Sequence, residues 1–443
     1  MTVTEILRLG DDGYDESARG FIAAGEPALV VRPRNPEQVA EAVDLAVRDD
    51  LAVSVRSGGH SLVGHSSNTG GIVIDLRHLD AVEVLDAERR LVRIGGGATW
   101  KRVAGALAQR GWGLTSGDTT SVGVGGLTLG GGIGWMVRRH GLTIDNLESA
   151  RVVTADGRLL TASADENPDL FWALRGGGGN FGVVVDFDFV VHETSTVHYG
   201  AITYSLDHPV ELFTRWRDAM RAAPDELSST LALVPRFPGA PAIAQVLVCY
   251  AGDPGAPLSE ADAAIEPLLE LGTVTEATIT ERRYAEILED PMRPPGIRPF
   301  GRNILVSSLD DDVIDAAVAA HQGTAPTAIA VRSLGGVFGR VPSEATAFAH
   351  RDAEAMILCA VLLPETTPEA QVAAALEPWG PAAAMGTGTY INFQGSATTE
   401  DVAAAYPPAT LARLAEVKRT YDPGNVFALN HNIEPMAGES IAV

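Results

Sequence analysis

Glycine is concentrated in three stretches of this chain, and that concentration limits what the chain can fold into. The first stretch, Arg56-Ser57-Gly58-Gly59-His60-Ser61, directly follows the apolar run Leu51-Ala52-Val53-Ser54-Val55. A strand ending in glycine can turn tightly and leave backbone N–H groups bare enough to touch an anion. The second stretch runs from Gly113 to Gly134 and includes Gly117, Gly123, Gly125, Gly126, Gly130, Gly131 and Gly132. The third is Gly176-Gly177-Gly178-Gly179-Asn180-Phe181-Gly182. A dinucleotide loop fails on spacing: its third glycine would fall on Thr128 in one register and on Trp135 in the other. No lysine follows in the manner of a P-loop. The glycines read instead as a series of backbone approaches to one large, flat, phosphate-bearing ligand.

At 443 residues the chain exceeds one ordinary core, so two or three domains are expected. A net charge of −24 argues against nucleic acid and against an anionic membrane surface. No apolar run is long enough to span a bilayer. The first twenty residues hold Asp11, Asp12, Asp15 and Glu16 and no apolar core, so no signal peptide is expected and a cytoplasmic location follows. Cys249 and Cys359 are far apart in apolar segments and read as buried thiols, with no disulfide and no metal site.

The opening segments alternate strand and helix. Ala28 to Arg32 reads as a strand, and Asn35-Pro36-Glu37 as an N-cap, an N1 proline and an acidic first turn. The helix that follows should bury Val39, Ala42, Val43, Ala46 and Val47. Further strands are expected at Leu51 to Arg56, Ile72 to Leu76 and Leu91 to Ile94. A helix from Thr99 to Gln109 should bury Trp100, Val103, Ala104 and Leu107. Asp156-Gly157 between apolar runs marks a hairpin. Val183 to Phe189 is expected to be a strand that is buried at its start and alternating at its end. Past Thr194 glycine thins out, and strands such as Ile243 to Tyr250 alternate with helices such as Val313 to His321, as in an α+β unit.

Four ordered motifs resemble the berberine-bridge-enzyme-like FAD-linked oxidases of the vanillyl-alcohol-oxidase superfamily. They are Arg56 to Ser61, the block from Val122 to Gly134, Gly179-Asn180-Phe181-Gly182-Val183, and Tyr421-Asp422-Pro423-Gly424-Asn425. Tyr390-Ile391-Asn392-Phe393 and a looser run from Val341 to Arg351 extend the likeness into the middle of the chain. The resemblance implies an α+β fold: a two-part PCMH-type FAD-binding domain and an α+β substrate domain whose antiparallel sheet covers the flavin. The boundaries drawn are 1–194 for FAD binding, 195–418 for substrate, and 419–443 for a C-terminal segment returning to the first domain.

The resemblance also implies that His60 carries the flavin through its 8α-methyl carbon, since a neutral imidazole is a good nucleophile toward an activated benzylic carbon. The other positions assigned to the cofactor are Arg56, Ser57, Gly58, Gly59, Ser61, His65, Ser66, Asp118, Thr119, Ser121, Gly125, Gly126, Leu127, Gly131, Gly132, Gly182, Val183, Val184, Asn430 and Asn432. Many relatives add a cysteinyl link three residues before the valine of the Val-Gly-x-Gly-Gly block. Thr119 stands there, and a hydroxyl cannot replace a thiolate. A single covalent link is therefore expected, similar to the histidyl-FAD bacterial members.

Val122 occupies the position at which valine resembles the oxidases and isoleucine the dehydrogenases, which points to dioxygen as acceptor. Alcohol-oxidising relatives carry Tyr-x-Asn-Tyr, whereas this chain ends that motif with Phe393, which cannot exchange a proton. In a strand, Tyr390 and Asn392 would share one face and Phe393 the other. Tyr390 becomes the substitute base and Asn392 an orienting group. An amine needs no base, because its lone pair drives hydride departure, so the missing phenol tilts the reading toward amines. Trp135 reads as a flavin wall or core packing, and His140 as a surface or helix-end residue. The function implied is hydride transfer from a C–H of a small organic amine or alcohol, or a secondary metabolite, to flavin. A dehydrogenase with another acceptor and a flavoprotein scaffold for non-redox cyclisation remain as alternatives.

Overall fold

The computed structural model describes residues 4–235, 242–290 and 295–436. The ends of the expected first and last segments, 1–3 and 437–443, lie outside the described residues. The chain begins with a four-stranded sheet in which Ile72–Asp75 lies between two parallel neighbours, Leu29–Arg32 and Val53–Arg56, with Glu5–Leu7 at the edge. Helix Pro36–Arg48 makes the crossover. The Asn35 side chain accepts a hydrogen bond from the Gln38 N–H at 2.9 Å, and Pro36 takes the first helical position. Val39, Ala42, Val43 and Ala46 are buried as expected, but Val47 is 51% exposed. At 100° per residue Val47 falls at the edge of the stripe, beyond the reach of the sheet.

A second, five-stranded antiparallel sheet is ordered Val82–Asp86, Leu91–Gly95, Val183–Val190, Leu147–Val153, Leu159–Ser163. The Asp156-Gly157 turn joins its last two strands, with Gly157 at φ 76°. Val183–Val190 departs from the alternation expected of its C-terminal half, because it is buried from Val183 through Phe189. It is the central strand, and its two carboxylates are neutralised by arginines on the flanking strands. Arg93 grips Asp188 at 2.7 and 2.8 Å, and Arg151 Nε reaches Asp186 at 2.9 Å. Charge pairing lets acidic residues sit where the pattern alone calls for solvent.

The largest sheet is antiparallel throughout. In spatial order it runs Val274–Ala277, Thr196–Ser205, Ile243–Tyr250, Leu227–Val234, Thr327–Ser333, Ala355–Pro364, Ile297–Val306, and Thr280–Arg283 also pairs with Thr196–Ser205. Period two sorts its side chains. Val246 and Val248 face helices Pro209–Ala222, Leu258–Leu269 and Asp311–His321, while Leu247 and Cys249 face Trp135 and Tyr284 from the opposite side. Both cysteines are free and buried. Trp135 is core: buried, edge-to-face with Tyr199 at 5.4 Å and beneath the Arg332 guanidinium. His140 ends a helical turn as expected but is not a surface residue. It stacks on His192 at 3.7 Å, and burial pushes the two imidazoles down to about 3 and about 4.

The tail is tied back by one cation. Lys418, fully buried, donates to Asp422 at 2.5 Å, to the Asn180 carbonyl at 2.8 Å and to the Phe427 carbonyl at 3.1 Å, which uses all three of its protons. Asn180 also accepts from the Ile433 N–H and donates to the His431 carbonyl. Removing the cation strands Asp422 in the core. Lys418→Met is expected to cost about 3 kcal/mol of stability, read as a lowered denaturant midpoint; an unchanged midpoint would refute the tether.

Candidate active site

The three glycine stretches, the Tyr390 motif and the tail converge on one cavity of about 380 Å³. Ser57, Gly58, Gly59, His60 and Ser61 form one wall, followed by His65 and Ser66. Asp118, Thr119 and Val122 lead into Gly125, Gly126 and Leu127. Gly182 and Val184 close another side, together with Asn430 and the trio Tyr390, Asn392 and Phe393.

Six of the expected cofactor positions do not line this cavity. The Arg56 guanidinium turns outward to the Arg19 carbonyl at 2.7 Å and toward Asp75 at 3.7 Å. Ser121 sits beside it in a neighbouring recess, with its hydroxyl spent on His60 and Asp290. Gly131 packs against Phe348, and Gly132 gives its N–H to Tyr390. Val183 points into the core because Val184, its neighbour in the pleat, points at the cavity. Asn432 also stands off, since its neighbours His431 and Ile433 are the residues bound to Asn180.

The glycines divide into two kinds. A Cβ at Gly58 would lie 2.2 Å from the Gly123 nitrogen, and one at Gly123 would lie 2.1 Å from the Gly58 nitrogen. These residues let two loops touch back to back, which corrects the view that every glycine serves a ligand. By contrast, a Cβ at Gly126 or Gly179 meets nothing within 4 Å, although both residues line the cavity. Those two leave room for something other than protein.

The Tyr390 motif is not a strand. Ile391–Phe393 forms a 3-10 turn, because the Asn303 side chain takes both backbone groups of Tyr390, the carbonyl at 2.9 Å and the N–H at 2.8 Å. A bond from the Phe393 N–H to the Tyr390 carbonyl then folds Phe393 over Tyr390, with ring centroids 5.5 Å apart. Phe393 therefore shares the cavity with Tyr390, where the strand reading placed it opposite. The Tyr390 oxygen accepts from Asn392 at 2.8 Å, Gly132 N at 3.1 Å and Ile133 N at 3.3 Å. Burial raises the Tyr390 phenol above its ordinary pKa despite these donors, so it stays protonated at neutral pH.

Electrostatics around the cavity is otherwise muted. Burial lowers His60 below an ordinary imidazole and drives His65 down to about 4, so both rings are neutral. Burial acts to raise Asp118, but Arg332, 2.7 Å away, outweighs it and holds the carboxylate ionised. His65 Nδ1 and Asn430 Oδ1 are buried in the cavity wall without a partner among the described residues. Orphaned polar atoms, a neutral histidine and open glycines fit a large polar-and-apolar cofactor such as a flavin nucleotide. Sequence reasoning missed Asp290, which is 169 residues from Ser121 and belongs to no motif. It also missed Phe21, whose ring stacks on His60 at 4.7 Å.

A family model described as an FAD binding domain matches residues 27–163, and one described as berberine and berberine like matches residues 389–434. (R)-6-Hydroxynicotine oxidase of Paenarthrobacter nicotinovorans is 31% identical over 462 residues, covering 97% of this chain and 96% of that protein. The crystal structure of 6-hydroxy-D-nicotine oxidase from Arthrobacter nicotinovorans superposes with a TM-score of 0.86 at 29% identity over 98% of each chain. Xylooligosaccharide oxidase from Myceliophthora thermophila C1, in complex with xylobiose, superposes with a TM-score of 0.85 at 26% identity, again over 98% of each chain. The chain belongs to the berberine-bridge-like family of FAD-linked oxidases, with the PCMH-type FAD-binding fold. It is an FAD-dependent oxidoreductase. Among the described residues no helix is long and apolar enough to cross a membrane.

Gly126 tests the division of the glycines. Gly126→Leu is expected to keep the far-UV circular dichroism and elution volume of the parent and to lose most of its flavin absorbance. Full flavin content would show that the space at Gly126 is not for the cofactor.

Proposed function

We propose that this protein is an oxidase that takes a hydride from a C–H bond next to nitrogen in a small organic amine and passes the electrons to dioxygen, giving hydrogen peroxide. Bound FAD supplies the two-electron chemistry. His60 holds it by the single covalent link, and Thr119, where a second link would need a cysteine, leaves it singly attached. Residues 1–194 and 419–443 carry the cofactor, and 195–418 carry the sheet that faces the substrate.

The observation that carries the amine reading is the state of the Tyr390 motif. Phe393 fills its part of the cavity with a ring that cannot take a proton. Tyr390 is buried, protonated and already accepts from three donors, so its oxygen keeps its proton and is poorly placed to take another. With Phe393 unable to take a proton and Tyr390 holding its own, neither aromatic ring of the motif serves as a base, which favours a substrate that pushes hydride off with its own lone pair, as a neutral amine does. Tyr390 and Asn392 then orient the substrate. The likeness to a relative named for 6-hydroxynicotine supports this reading; the carbohydrate oxidases make sugars the second class to test.

Val122 lines the cavity and packs against the core, where close packing leaves little spare room, so one added methylene is expected to hinder the approach of dioxygen. Anaerobic mixing with panels of amines, sugars and polyketide-like alcohols tests the class: bleaching of the flavin by amines alone is expected. Bleaching by sugars alone would overturn the amine reading, and no bleaching by any panel would favour a scaffold. Tyr390→Phe is expected to lower the flavin reduction rate by roughly tenfold to a hundredfold while leaving reoxidation unchanged, as for loss of one positioning hydrogen bond. Val122→Ile is expected to do the reverse, slowing reoxidation in air and leaving anaerobic reduction intact; stopped-flow absorbance reads both.

A further inference from the structure

We infer that Asp290 and Ser121 form with His60 a relay that prepares the imidazole for its covalent bond; the inference rests on the histidyl-flavin reading above. Ser121 Oγ donates to Asp290 Oδ1 at 2.5 Å, and the Ser121 N–H donates to the same oxygen at 2.9 Å. The hydroxyl proton is thereby committed to the carboxylate. Ser121 Oγ, 2.8 Å from His60 Nε2, can face the ring only as an acceptor. Nε2 therefore carries the imidazole proton, and Nδ1 keeps a lone pair. Phe21, stacked at 4.7 Å and 19°, restrains ring rotation. Burial keeps the imidazole neutral, the only state in which Nδ1 is a nucleophile.

The carboxylate explains more than orientation. As Nδ1 bonds to carbon the ring gains positive charge, and an anion one hydroxyl away stabilises that charge and accepts the Nε2 proton through Ser121. Asp290 lies at the surface, so the proton can leave to water. The balance closes. One bond forms, Nδ1 to the 8α carbon, and one methyl C–H and the Nε2–H break. The two electrons pass through the isoalloxazine to dioxygen, which takes both and two protons to become hydrogen peroxide. Asp290 and Ser121 are positioning residues here, since neither lines the cavity.

The test reads flavin attachment rather than turnover. Wild type, Ser121→Ala, Asp290→Ala, Asp290→Asn, Ser121→Thr and His60→Ala are purified as holoproteins. Total flavin is read by absorbance, and the share surviving acid precipitation by fluorescence of the gel band. Wild type is expected to retain its flavin in acid. In the alanine variants and Asp290→Asn the surviving share is expected to fall to roughly a tenth or less, with total flavin preserved, as loss of proton-transfer assistance worth about 10²–10⁴ in rate implies. Ser121→Thr keeps the hydroxyl and is expected to restore attachment, which a merely structural contact would not demand. Peptide mapping is expected to place the bond at Nδ1. Full attachment in both Ser121→Ala and Asp290→Asn overturns the relay, as does failure of Ser121→Thr to restore it. Should Ser121→Ala fail to fold, Asp290→Asn decides alone, because it removes only surface charge. Acid-stable flavin in His60→Ala, or none in wild type, sinks the histidyl link itself and is a separate result.

Discussion

Two glycine loops touch back to back at Gly58 and Gly123, and the rest of the site depends on that contact. No side chain can exist at either position, because the nearest backbone atoms would lie closer than 2.5 Å to any Cβ. The reward for the close approach is registration. It sets His60 beside Ser121, aligns the loop that carries Val122 with the loop that carries His60, and opens the cavity between them. A larger residue would push the loops apart and separate the imidazole from its hydroxyl partner, whatever cofactor chemistry followed.

A second arrangement builds the opposite wall. Asn303, on strand Ile297–Val306 of the large sheet, binds the backbone of Tyr390 as a neighbouring strand would, but from a side chain. The segment is freed to curl into a 3-10 turn that stacks Phe393 on Tyr390 and brings Asn392 within reach of the phenol. Arg332, on strand Thr327–Ser333 of the same sheet, pairs with Asp118 from the glycine-dense segment. The sheet thus holds the Tyr390 motif and the Asp118 carboxylate, both of which line the cavity, in fixed relation. Such cross-links leave a cavity whose one ionised carboxylate among the described residues, Asp118, is paired with an arginine.

The tail closes the assembly through Lys418. A buried ammonium is tolerated because every proton it carries has an acceptor. Its contacts span the third glycine stretch and the segment after Asp422, so Asn430 reaches the cavity as part of a folded unit. Asn180, itself within that glycine stretch, completes the bond network.

Much of this was legible in the residues. Turn chemistry gave the Asp156-Gly157 hairpin, capping gave helix Pro36–Arg48, and period-two patterns gave most strands, because each depends on neighbours a few positions away. His60, Val122 and Tyr390 were legible as motif members. The pattern misled where a distant partner intervened: arginines across the strands buried Asp186 and Asp188, and Asn303 turned an apparent strand into a 3-10 turn. Asp290 left no trace at all, since a lone aspartate 169 residues from its partner has no periodicity or spacing to betray it. The sequence by itself determined the glycine turns, the local elements and the residue types available for chemistry, because these are set by backbone sterics and short-range bonding. Only the tertiary structure decided which glycines serve packing and which leave space, which nitrogen of His60 is free, and which side chains meet, because those depend on contacts between segments far apart along the chain.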